Sequence, residues 1–114
     1  MDEIARRTLL FDFYGPLLTN KQQDIFDLYY QQDLSLGEIA EIQKVSRPAV
    51  FDLLRRVEDS LNTYESKLFL VQRYIDYRQI LEEMKNIITI HKQNDNNENH
   101  DKLLSLLNKL DEHW

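Results

Sequence analysis

The chain has 114 residues, 42% apolar and 30% charged, with a formal net charge of −6, two glycines, two prolines and no cysteine. So few turn formers cannot supply the tight turns of a sandwich or barrel, and the lack of cysteine excludes disulfides, thiolate metal sites and a cysteine nucleophile. A phosphate backbone repels an acidic chain at long range, so any nucleic-acid contact needs a local basic patch.

Asp2 can cap a first helix whose apolar residues are Ile4, Leu9, Leu10, Phe13 and Tyr14. Gly15-Pro16 ends it, glycine permitting a left-handed terminus and proline being unable to continue the ladder. Thr19-x-x-Gln22 is a capping-box pattern, and Ile25, Phe26, Leu28 and Tyr29 follow at three- and four-residue spacing. Gln31-Gln32-Asp33 reads as a loop. Ser35-x-x-Glu38 is a second capping box, opening a short helix from Leu36 to Gln43. Lys44-Val45-Ser46 reads as a tight turn. Ser46 then caps a helix with Pro48 in its first turn, where a missing amide costs nothing. Val50, Leu53, Leu54, Val57 and Leu61 form its buried face.

No breaker separates residues 47 and 91, so the helical pattern runs on or bends near Asn62-Thr63. A heptad-like seam follows: Leu70, Tyr74, Tyr77, Leu81, Met84, Ile88, widened by Ile80 and Ile87 on one side and by Val71 and Ile75 on the other. A helix from Tyr64 to His91 would be ~42 Å long, too long for one small bundle to cover. Residues 92–100 are polar and asparagine-rich, and read as a solvated linker. Leu103, Leu107, Leu110 and Trp114 then share one face of a short amphipathic helix.

The most specific signal lies between Leu36 and Leu54. A helix-turn-helix needs a small residue where its helices meet, and Ala40 stands there. Ile39, Ile42 and Val45 flank the turn, Ser46 caps the second helix, and Val50 and Leu53 anchor it inward. The outward side of that helix then holds Arg47, Phe51, Asp52, Arg55 and Arg56. Arg47 sits at the N-terminal end, where such proteins reach base edges. Lys44, Arg55 and Arg56 can meet phosphates, with Ser46 at the helix start. Asp52 opposes this unless it accepts from a cytosine. The plainer reading makes Arg55 and Arg56 a solvated face.

The stretch from Leu34 to Ile42, followed by Val45-Ser46, resembles region four of bacterial sigma factors. The chain resembles more closely the YlxM-like helix-turn-helix family. Leu10-Phe11-Asp12-Phe13-Tyr14, Leu17-Leu18-Thr19-x-Lys21-Gln22, Leu28-Tyr29-Tyr30, Asp33 to Ala40 and Val45-Ser46-Arg47-x-Ala49-Val50-Phe51-Asp52 carry the likeness. It implies an all-helical, sigma-region-four-like head and an association with the signal recognition particle pathway, through its GTPase or its RNA. Two positions depart from the usual motif. Lys44 stands where glycine is usual and Gln43 where leucine is, so a looser turn is expected.

No phosphate-cradling glycine loop, G-x-S-x-G elbow or H-E-x-x-H occurs, and His91, His100 and His113 lack metal-ligand spacing. Asp24 and Asp27 share a helix face but lack a nearby histidine, and Glu82-Glu83 reads as a solvated face. Neither a signal sequence nor a membrane span is evident. The expectation is an all-α cytoplasmic protein without cofactor, metal or enzymatic activity. Residues 1–63 would form a helix-turn-helix head, 64–91 a long association helix, 92–100 a linker and 101–114 a C-terminal amphipathic helix. The head would bind duplex DNA, or dock as an adaptor on a signal recognition particle component. The seam Leu70, Tyr74, Tyr77, Leu81, Met84 and Ile88 would form a homodimer interface, unless the C-terminal helix folds back over it.

Overall fold

The computed structural model describes residues 2–94 and 98–112, and every regular element among them is helical. The chain divides into two compact units, Met1–Val71 and Gln72–Trp114. His113 and Trp114 lie outside the described residues, as does the middle of the expected linker, residues 95–97.

In the first unit, helix α1 (Glu3–Tyr14) begins where the Asp2 carboxylate accepts from the Ala5 amide at 2.7 Å. Gly15 does not turn left-handed. It has φ −49° and ψ −44° and leads into a 3₁₀ turn, Gly15–Leu17. A Cβ there would meet the Phe11 ring at 3.4 Å, an ordinary contact, and that ring stacks on Phe26 with ring centroids 4.1 Å apart.

Helix α2 (Asn20–Phe26) starts in the Thr19–Gln22 capping box, with both reciprocal hydrogen bonds formed. It widens into a π turn, Asp27–Gln31, so the expected loop at Gln31 is still helical, and the chain reverses at Asp33 with φ 56°. The aromatic run sits beside this widening. Tyr30 donates to the Glu58 carboxylate, and the Arg7 guanidinium lies 4.2 Å above its ring. Partial burial, then the hydrogen bond to Glu58, pushes the Tyr30 phenol well above its usual range.

Helix α3 (Leu36–Gln43) opens in the Ser35–Glu38 capping box, and α4 (Arg47–Leu68) opens on Ser46, which accepts from the Ala49 amide. Ile25, Ile39, Ala40, Val50 and Leu54 form the buried cluster at their crossing.

The turn between α3 and α4 is closed, against the looser one expected. Lys44 adopts the left-handed conformation at φ 57°, ψ 46°; its amide donates to Glu41 and the Val45 amide to Ala40 at 3.0 Å. That is the paired bonding of a Schellman terminus. A lysine in this conformation costs ~1–2 kcal/mol. Burying the Ile25, Ile39, Val50 and Leu54 side chains contributes ~1.5–3 kcal/mol each, so packing dictates the turn.

The long helical stretch breaks at Phe69 (φ 58°), and not near Asn62-Thr63. Both Asn62 and Thr63 are exposed, and nothing there would terminate a helix. The break forms where the orphan amides of the next helix find acceptors. The Tyr14 hydroxyl donates to Glu65 Oε1 at 2.6 Å and accepts from the Leu70 amide at 3.1 Å; the Val71 amide donates to the same Glu65 oxygen at 3.0 Å. Glu65 is thus a buried carboxylate whose Oε1 accepts from both the Tyr14 hydroxyl and the Val71 amide.

The second unit is a helical hairpin. Helix α5 (Leu70–Asn94) is followed, after residues 95–97, by α6 (Glu98–Glu112). Both expected linker ends, residues 92–94 and 98–100, are therefore helical. The helices run antiparallel: His91 lies near His100, while Lys85 bonds to Asp111 at 2.9 Å and Arg78 pairs with the same carboxylate. Leu81, one turn before Lys85, and Leu107, one turn before Asp111, are buried on the facing sides.

Candidate nucleic-acid interface

The first half of α4 is held from behind and open in front. From behind, Val50, Leu54, Val57 and Leu61 are buried. Arg6 donates to Asn62 at 3.3 Å and Arg7 approaches Glu58 at 3.7 Å, so these two cations are committed to the α1–α4 seam and add nothing to the front.

In front, Arg47, Phe51 and Arg55 follow one another at four-residue spacing, all exposed. At ~1.5 Å per residue the row is ~12 Å long, the width of a major groove. Phe51 is 59% exposed, a large apolar ring between two guanidinium groups.

Arg47 leans toward the first turn of α3, its Nε 3.8 Å from where a Cβ on Gly37 would stand. It thereby borders an open hollow of about 530 Å³, whose lining includes Ser35, Gly37, Glu38, Glu41 and Val45. Spacing alone did not reveal this hollow, because it depends on how tightly α3 meets α4.

The expected site residues thus share one corner of the molecule, with differences. Lys44 is exposed at the turn. The Ser46 hydroxyl already accepts from Ala49, so it caps the helix before it can meet a ligand. Asp52 pairs with Arg56 at 3.0 Å along the helix, which leaves Lys44, Arg47 and Arg55 without an ion pair among the described residues. Val45 is half-buried as a turn plug, whereas Ile42, expected to help it, is exposed.

The expected seam on α5 is divided. Leu81 is buried within the hairpin, Leu70, Tyr74 and Ile88 are half-buried, and Tyr77 and Met84 are exposed. No described helix is long and apolar enough to cross a membrane.

The comparisons with known proteins agree with this architecture. Residues 1–110 match the model of a helix-turn-helix protein family, UPF0122, YlxM / p13 like. The chain is 51% identical over 87 residues to the UPF0122 protein of Caldanaerobacter subterraneus subsp. tengcongensis, covering 76% of this chain and 74% of the relative. It is 42% identical over 110 residues to that of Desulforamulus reducens, covering 96% and 94%. It is 40% identical over 111 residues to that of Bacillus thuringiensis, covering 97% and 99%. With α3, the closed turn and α4 in helix-turn-helix order, the chain belongs to the UPF0122 family of YlxM / p13 like helix-turn-helix proteins.

Proposed function

We propose that the protein is a non-enzymatic cytoplasmic regulator that binds duplex DNA through the first half of α4 and works as a homodimer. The observation that carries this reading is the exposed Arg47–Phe51–Arg55 row at a closed helix-turn-helix corner, in a chain that is otherwise acidic. Arg47 at the helix start would reach a base edge, Phe51 a thymine methyl, and Lys44 and Arg55 the phosphates. Arg56 would join them only by leaving Asp52.

Two phosphate contacts per head, from Lys44 and Arg55, give a salt slope of roughly −2, and two heads on one duplex roughly −4. Fluorescence anisotropy against random duplex pools at low salt tests this. Binding that Arg47→Ala and Arg55→Ala each weaken about tenfold is expected. No binding by the wild-type chain would overturn the reading.

A second reading has its own support. The Asp52–Arg56 pair cancels one cation, and Phe51 stands exposed in the middle of the row. Such a surface also suits a protein partner. The likeness to YlxM-like proteins makes a component of the signal recognition particle that partner. Capture from lysate that survives nuclease, and that Phe51→Ala abolishes, would favour this adaptor role.

A further inference from the structure

We propose that two copies of this chain pair through one apolar face of the α5–α6 hairpin, closing a four-helix bundle in which α5 of each copy packs on α6 of the other. Six side chains define the face. On α5 they are Ile80, Met84 and Ile87, 45–55% exposed; on α6 they are Leu103, Leu106 and Leu110, 47–57% exposed. Each set repeats at three- and four-residue spacing, the signature of a helix that meets another helix.

Neither set is the face its own hairpin uses. On α5 the buried side carries Leu81 and Lys85, and the exposed stripe lies about a quarter turn away. On α6 the buried side carries Leu107 and Asp111, and its stripe is likewise displaced. Because the helices run antiparallel, the two displacements have opposite hand and bring both stripes to the same side of the hairpin. The seam read from sequence therefore shifts: Leu81 closes the hairpin, and Ile80 and Ile87 take its place beside Met84.

Size and charge point to a second copy as the occupant. Six large apolar side chains, each about half exposed, present on the order of 600 Å². With their polar flanks they approach the ~800 Å² per partner of a stable interface. The outer flank of the α5 stripe is acidic, with Asp76 and Glu83, and the outer flank of the α6 stripe is basic, with Lys102 and Lys109. Packing α5 on the partner's α5 would set acid against acid. Packing it on the partner's α6 sets acid against base, and the register in which Asp111 lies between Arg78 and Lys85 brings Glu83 level with the partner's Lys109.

This inference takes up the homodimer of the proposed function and does not depend on DNA binding. Its test therefore uses the full chain without DNA, in light scattering and sedimentation at micromolar concentration. The wild-type chain is expected at twice 13.8 kDa. Met84→Glu and Leu106→Glu are each expected to give monomers with unchanged helical circular dichroism, since both side chains are already half in solvent. Glu83→Lys and Lys109→Glu should each weaken pairing roughly 3–10-fold, and the double exchange should restore it. A wild-type monomer, or a dimer that survives both Met84→Glu and Leu106→Glu, would overturn the proposal. Single charge reversals that weaken pairing without rescue by the double exchange would overturn the α5-on-α6 arrangement.

Discussion

Helices α4 and α5 are nearly equal in length, 22 and 25 residues, and follow one another across a single left-handed residue, yet they are used in opposite ways. Helix α4 buries a continuous row, Val50, Leu54, Val57, Leu61 and Glu65, under other elements of its own unit. Its exposed front carries charge and one aromatic ring. Helix α5 buries Val71 and Leu81 and leaves a repeating apolar stripe in solvent. The first unit satisfies its own core, while the hairpin is left with a face that its described partner helix does not cover. Apolar periodicity alone does not distinguish the two cases. The number of elements available to cover each helix does.

Substitutions can sharpen this contrast. The largest effect is expected in the head. Ile39 is fully buried where α3 meets α4, so Ile39→Ala should cost ~2–5 kcal/mol in denaturant unfolding of the head. If the loss were below ~1 kcal/mol, the α3–α4 crossing would not be the close-packed centre described here. Tyr14→Phe comes next. It removes the donor to Glu65 and the acceptor for the Leu70 amide, both in a buried setting, and should cost ~1–3 kcal/mol. The matching observation is faster hydrogen exchange at the Leu70 and Val71 amides. The smallest effect has the opposite sign. Lys44→Gly relieves a left-handed lysine and should stabilise the head by ~1 kcal/mol in the same assay. A neutral or destabilising result would mean that the lysine side chain contributes more than its backbone costs.

Much of the head was legible because its signals are local. The Thr19 and Ser35 capping boxes, the Ser46 cap, the small residue at Ala40 and the inward row from Val50 to Leu61 all lie within a turn or two of what they control. What was not legible depends on distant partners. The break at Phe69 is fixed by Tyr14, more than fifty residues upstream, acting with a glutamate that composition alone would place on the surface. Gly15 reads as a left-handed terminus, but the chain passes through it right-handed into the 3₁₀ turn Gly15–Leu17. Lys44 suggested a loose turn because a propensity of about 1 kcal/mol was weighed without the core that overrides it. On α5 a heptad cannot say which of two adjacent faces its own chain will cover. Of the candidate site, the residue types and their corner were legible; the Asp52–Arg56 pair and the hollow beside Arg47 were not.

The central claim, that the front of α4 is a nucleic-acid surface presented in two copies, is tested most directly by the salt dependence of duplex binding for the wild-type chain and Met84→Glu side by side. The expected result is a log–log slope of roughly −4 for the wild type, falling to about −2 when pairing is lost. No measurable duplex binding at low salt, or the same slope for both proteins, would contradict it.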